Sequence, residues 1–181
     1  MAGKRALRNP RFEGRAGASV VLTLYDLSPI ADATTDWLCN LRTMEVPPSV
    51  KFHKDLHLFV WRPRGILDEA AVNKVLADLL RYERRASQPF NRFSDLSEVQ
   101  DFHLTFKYVF HVALHRRLAY AGREPVKSVF FVTHPQAAQL VKIHAIMTNH
   151  SPLKVEMFDN RAAAARSLGV PIETLIMAES F

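Results

Sequence analysis

The sequence predicts an α/β domain whose mostly parallel sheet of about five strands carries helices packed against it. Two observations carry that expectation. Short apolar runs recur along the chain, with Leu58-Phe59-Val60-Trp61 and the segment 126–132 the clearest. Between them lie longer segments whose apolar residues repeat at helical spacing, fenced by Pro, Gly, Asp and Asn.

Val50–His53 and residues 56–62 read as two strands joined by a tight turn at Lys54-Asp55. The second is apolar without interruption, as a strand covered on both faces should be. Arg62-Pro63-Arg64-Gly65 ends it, and Asp68 suits a helix N-cap. Val72, Val75, Leu76 and Leu79 follow at helical spacing, and the helix fades at Ser87-Gln88-Pro89. Residues 90–93 form a short third strand, leading into Ser94-Asp95-Leu96-Ser97. A second helix spans 103–120 and stops at Gly122. After the strand at 126–132, His134-Pro135 opens a third helix, with Ala138, Leu140, Val141 and Ile146 apolar. Pro152 breaks the chain, 154–158 form the last strand, and Asp159 or Asn160 caps a final helix that ends at Gly169. The expected order is β-β-α-β-α-β-α-β-α.

These elements place the domain at residues 49–169, followed by a tail at 170–181 that carries Ile172, Leu175, Ile176 and Met177. Residues 1–48 read as a poorly ordered extension. Its first 17 residues are basic and aperiodic, 20–25 resemble a stray strand, 28–43 are weakly helical, and Pro47-Pro48 closes the segment. Met44 offers an alternative start of translation.

Composition narrows the function classes. The net charge is +6 and the pI near 9.7. The excess is spread along the chain, without the dense basic stripe and interleaved aromatics of a dedicated nucleic-acid binder. A single cysteine, Cys39, allows no internal disulfide and fits a reducing compartment, so a cytoplasmic protein is expected. No apolar run reaches the ~18 residues of a membrane span.

A search for chemistry finds little. His111 and His115 share a helix face, but zinc normally needs a third and fourth ligand. Asp95, Glu98, Asp101 and His103 cluster at the exit of the third strand, where parallel sheets place ligands. A carboxylate beside histidine suits acid–base work, yet the same residues serve as turn and helix caps. Neither a nucleophile elbow nor a phosphate-cradling glycine loop is present, and Gly14 and Gly17 stand isolated. No catalytic residue, metal or cofactor is expected. The second helix is unusual. Leu104, Phe106, Tyr108, Val109, Phe110, Val112 and Leu114 run almost around its wheel, which predicts burial on more than one side, in a core, a groove, a dimer contact or a lipid pocket.

Four stretches carry a family resemblance: Trp61-Arg62-Pro63-Arg64-Gly65-Ile66-Leu67, Asp95-Leu96-Ser97, the strand–helix unit 126–146, and Val155-Glu156-Met157-Phe158-Asp159 with Ala163 and Leu168-Gly169. Together they resemble the STAS superfamily of sulfate transporters and anti-sigma-factor antagonists, and within it the SpoIIAA-like, or STAS/Sec14-like, proteins. Ser167 stands where that family has tryptophan. The resemblance implies a small, mainly parallel sheet, and in the antagonists a phosphorylated serine of an Asp-Ser pair at the start of the second helix. Here that stretch is Phe102-His103-Leu104-Thr105, without the pair, so the regulatory hydroxyls it leaves are Thr105 and Ser97. The resemblance implies a non-enzymatic regulatory module acting through a protein partner or a homodimer. The Sec14-like comparison implies instead a binder of lipid or another small apolar ligand. The region that either would use is the third-strand exit and second helix, with Asp95, His103, Phe106 and Phe110.

Overall fold

A computed structural model describes residues 49–176. The expectations for 1–48, and for the end of the tail, lie outside the described residues. The elements in chain order are β1 (Val50–His53), β2 (Leu58–Trp61), β3 (Gly65–Asp68), α1 (Glu69–Arg85), β4 (Asn91–Asp95), β5 (Val99–His103), α2 (Phe106–Ala119), β6 (Val126–Phe131), α3 (Pro135–Met147), β7 (Leu153–Phe158), α4 (Arg161–Leu168) and α5 (Ile172–Leu175).

The main sheet has five strands in the order β1-β2-β4-β6-β7. Only the edge strand β1 is antiparallel to its neighbour; the other pairings are parallel. From β2 the chain therefore steps in one direction across the sheet. α1 and α3 pack on one face as it does so, and α2 adds Val109 to the same core. A constant crossover hand requires helices between successively adjacent parallel strands to share a face. After β7 the chain returns beneath the sheet as α4 and α5.

Strand alternation divides the core in two. Phe59 and Trp61 of β2 point to the face of α1 and α3, with Val75, Leu79, Leu140 and Val141. Leu58 and Val60 point to the other, with Phe93, Val129, Phe131, Ala164, Leu168 and Leu175. The uninterrupted Leu-Phe-Val-Trp run is thus explained, since every residue of β2 meets a helical layer.

Local signals set the boundaries. Asp68 Oδ1 accepts from the Ala71 amide at 2.8 Å and starts α1. His134 caps α3 ahead of Pro135, and Asn160 caps α4. Gly169 ends α4 at φ +70°, where a side chain would be strained.

The structure corrects several expectations. Residues 54–57 form the β1–β2 turn, and β2 starts at Leu58 rather than at 56. Gly65–Asp68 and Val99–His103 are strands, paired with each other in a separate two-stranded parallel sheet. Each was hidden because it buries so little: Leu67 in one, Val99 and Phe102 in the other. α2 starts at Phe106 rather than 103. His103 still pairs with Asp68 in β5, and Thr105 Oγ1 accepts the Tyr108 amide at 3.1 Å as the N-cap. The tail packs back: Leu175 is fully buried, and its carbonyl accepts from Arg62 at 2.8 Å.

Candidate functional site

The feature that the sequence did not disclose is an apolar cavity of about 130 Å³ between the sheet and the helices α1, α2 and α3. Its floor is the middle of the sheet. Phe59 and Trp61 come from β2, Arg92 and Ser94 from β4, and Ser128 and Phe130 from β6. Val72, Val75, Leu76 and Leu79 of α1 form one wall; Tyr108, Val109 and Val112 of α2, with Leu140 and Val141 of α3, form another. Tyr108 also ties the helices together, because its hydroxyl donates to Asn73 Oδ1 at 2.8 Å. Burial, then the carboxylates of Glu69 and Asp68, push that phenol up to about 12, so it remains a neutral donor.

At one end of this greasy space sits a buried polar cluster. Arg92 lies in the central strand of the sheet and Arg116 on α2, with side chains only 5% and 3% exposed. Both reach the same oxygen of Glu83 on α1, at 2.7 and 2.6 Å. Tyr120 donates to that oxygen at 2.8 Å and itself accepts from Arg92. The Tyr120 ring also carries the guanidiniums of Arg92, Arg116 and Arg123, at 4.8, 5.1 and 5.6 Å from its centroid.

Two groups in this cluster lack what burial demands. Arg92 Nε and His144 Nε2 are shut off from solvent and have no hydrogen-bond partner. Burial, and behind it Arg116, pull the Arg92 guanidinium down to about 9. Burial, then Arg116 and Arg92, hold His144 down at about 4, so its ring is neutral at pH 7. The geometry supports binding: an apolar space with a few convergent polar groups at one end.

Of the residues singled out from sequence, Leu104, Tyr108, Val109 and Val112 line the cavity, and the named site residues fall elsewhere. Asp95 is fully buried at the C-terminal end of β4, on the face opposite the cavity. It accepts from Arg62 at 3.1 Å, Arg161 at 3.0 Å and the Ser97 hydroxyl at 2.6 Å. Ser97 in turn accepts from Arg161 at 2.9 Å, so this serine is held within an ion network. His103 points outward, 58% exposed, with Asp101 Oδ2 at 2.8 Å. Asp95 and His103 are not brought together. Thr105 is exposed and, besides capping α2, donates to Glu69 at 3.3 Å.

Phe106 and Phe110 are 59% and 42% exposed. With Leu114 and Leu118 they form an apolar stripe along the outer side of α2, away from Tyr108, Val109 and Val112. Within the single chain, one side of α2 faces the cavity and another is open to solvent, so the second covered side expected for this helix is not supplied by the chain's own core. His111 and His115 are exposed on the same helix. Among the described residues no group of three or more His, Cys, Asp and Glu is gathered to hold a metal, and no helix is long and apolar enough to cross a membrane.

One signal for the cavity was present. Arg92 interrupts a strand flanked by Phe90 and Phe93, and a charged residue in the middle of a covered sheet must have a buried partner. The partners, Glu83, Arg116 and Tyr120, come from separate elements, and nothing in their own neighbourhoods marks them. No family model matches the chain, and no curated protein matches it.

Proposed function

We propose that this chain is a non-enzymatic ligand-binding module of STAS/Sec14-like type that holds a small apolar molecule between its sheet and helices α1 to α3. The observation that carries the reading is the apolar cavity of about 130 Å³ under α2. Cavities of roughly 150 Å³ lined by aliphatic and aromatic groups take up benzene. The space therefore suits a ring or a short chain. His103 meets only the carboxylate of Asp101, on the exposed surface and away from the buried Asp95, and this supports a non-enzymatic reading.

Toluene titration of the full chain, followed by ligand-observed NMR and thermal shift, tests this. Saturable binding is expected, and Val112→Phe, which fills the space from α2, should abolish it while leaving the fold intact. Absence of saturable binding to the wild-type chain would remove the proposal.

A second reading, self-association, is favoured by the stripe Phe106, Phe110, Leu114 and Leu118, exposed between 37% and 67% on one side of α2. Exposed apolar residues in a contiguous row mark interaction surfaces. Two copies meeting through α2 would bury their stripes against each other. Sedimentation equilibrium should then give a dimer that Phe110→Asp dissociates; a monomer at all concentrations excludes it.

A further inference from the structure

The buried cluster at the end of the cavity is short of negative charge. The buried charges are those of Arg92 and Arg116 against Glu83, two guanidiniums against a single carboxylate, while Arg123, which also acts on Arg92, is exposed. Glu83 Oε1 already accepts from Arg92, Arg116 and Tyr120, and Oε2 accepts from Arg116 at 3.4 Å. His144, neutral at pH 7, brings no charge to offset the excess. Buried charge is stable only when paired and hydrogen-bonded, and here the pairing is incomplete.

The incompleteness has a direction. Arg92 Nε and His144 Nε2, both without partners, belong to residues that line the cavity. Ser128 lies directly across from Arg92 in the parallel β4–β6 pairing and lines the same cavity. Ser94, two residues on along β4, is paired with Phe130, whose ring meets the His144 ring at 5.9 Å between centroids. Polar groups from β4, β6, α2 and α3 thus line one space whose remaining walls are aliphatic and aromatic.

We propose that the occupant of the cavity is a small monocarboxylate with an apolar body, its carboxylate facing Arg92, Arg116 and Ser128 and its ring or short chain lying against α1 and α2. The inference rests on the ligand-binding reading above and names the ligand class. One negative charge offsets the excess of the Arg92–Glu83–Arg116 group. A planar carboxylate is also what a guanidinium fork matches. A doubly charged phosphate would overshoot that balance, and a cavity of about 130 Å³ leaves no room for a bulky body behind it.

Calorimetric titration of the full chain with benzoate, benzamide, toluene and acetate tests the proposal. Benzoate is expected to bind at least tenfold more tightly than benzamide, its neutral isostere, and than acetate, which lacks the ring. Ser128→Ala, a small change beside Arg92, should weaken benzoate several-fold and leave benzamide unchanged. Arg92→Met should erase the preference for benzoate, and because that variant risks misfolding, the wild-type ratio of benzoate to benzamide is the deciding measurement. Equal binding of benzoate, benzamide and toluene overturns the anion inference and leaves the apolar cavity reading standing. Acetate as tight as benzoate overturns it too, since the apolar walls would then contribute nothing. No binding by any of the four overturns both.

Discussion

The two faces of the sheet are built from the same strands and follow opposite packing rules. Toward α4 and α5, Leu58, Val60, Phe93 and Val129 are fully buried among Ala164, Ala165 and Leu168, where small residues let the helix come close. Toward α1, α2 and α3, the same strands present Arg92, Ser94 and Ser128, and a cavity remains above them. The difference teaches where this fold places its stability and where it keeps room. A single register alternation along β4 separates them: Phe93 and Asp95 serve one face, Arg92 and Ser94 the other.

The largest effect that would break the comparison is a truncation on the closed face. Phe93→Ala should cost about 3–5 kcal/mol in urea unfolding, because a fully buried aromatic leaves a void that a tight helix layer cannot close. A loss of under about 1 kcal/mol would show that the closed face is as loose as the open one.

Next comes the charge cluster. Glu83→Gln leaves Arg92 and Arg116 buried without their carboxylate and should destabilise by about 3 kcal/mol or more. Unfolding by urea reads it out. An unchanged midpoint would mean that the two guanidiniums are solvated through the cavity.

The open face should also impose a pH dependence. His144 is held at about 4 in the folded protein, by burial first and then by Arg116 and Arg92, against 6.5 ordinarily. The unfolded chain takes up the proton first as the pH falls. The neutral ring's contribution to stability is therefore complete above about 6.5 and is lost progressively down to about 4. The loss from this group is at most about 3 kcal/mol. His144→Phe should flatten that part of the stability–pH curve; a curve that keeps its slope assigns it to other groups.

The smallest effects sharpen the comparison most. Adding carbon to the closed face, as in Ala164→Val, should cost about 1–3 kcal/mol by overpacking. Adding it to the cavity, as in Val112→Ile, should change stability by less than about 1 kcal/mol and could raise it. Paired thermal melts of the two variants give the difference directly.

The closed face was largely legible in the sequence. The run at 58–61 is apolar enough to require two covers, the run at 126–131 reads as a strand, and Asp68, His134-Pro135, Asp159-Asn160 and Gly169 mark helix ends by local chemistry alone. β3 and β5 were not, because each buries too few side chains to imprint an alternation. The open face was the hardest to read. Arg92 meets Tyr120 across 28 positions and Arg116 meets Glu83 across 33, contacts that no local spacing encodes. The apolar excess of α2 was visible, but its division between Val109 and Val112 inside and Phe106 and Phe110 outside depends on which way the helix is rolled against the sheet.

The hydrogen bond from Arg62 to the Leu175 carbonyl bears on how the protein can be handled in the laboratory. That guanidinium also meets Asp95 at 3.1 Å, so the chain's last described turn is wired to a buried acid at the end of the central strand. A protease cut, or a truncated clone that stops before Ile172, would strip the arginine of an acceptor and leave a hole where Leu175 sat. Expression designs that keep everything through Ile176 preserve this latch, and any affinity handle belongs beyond it.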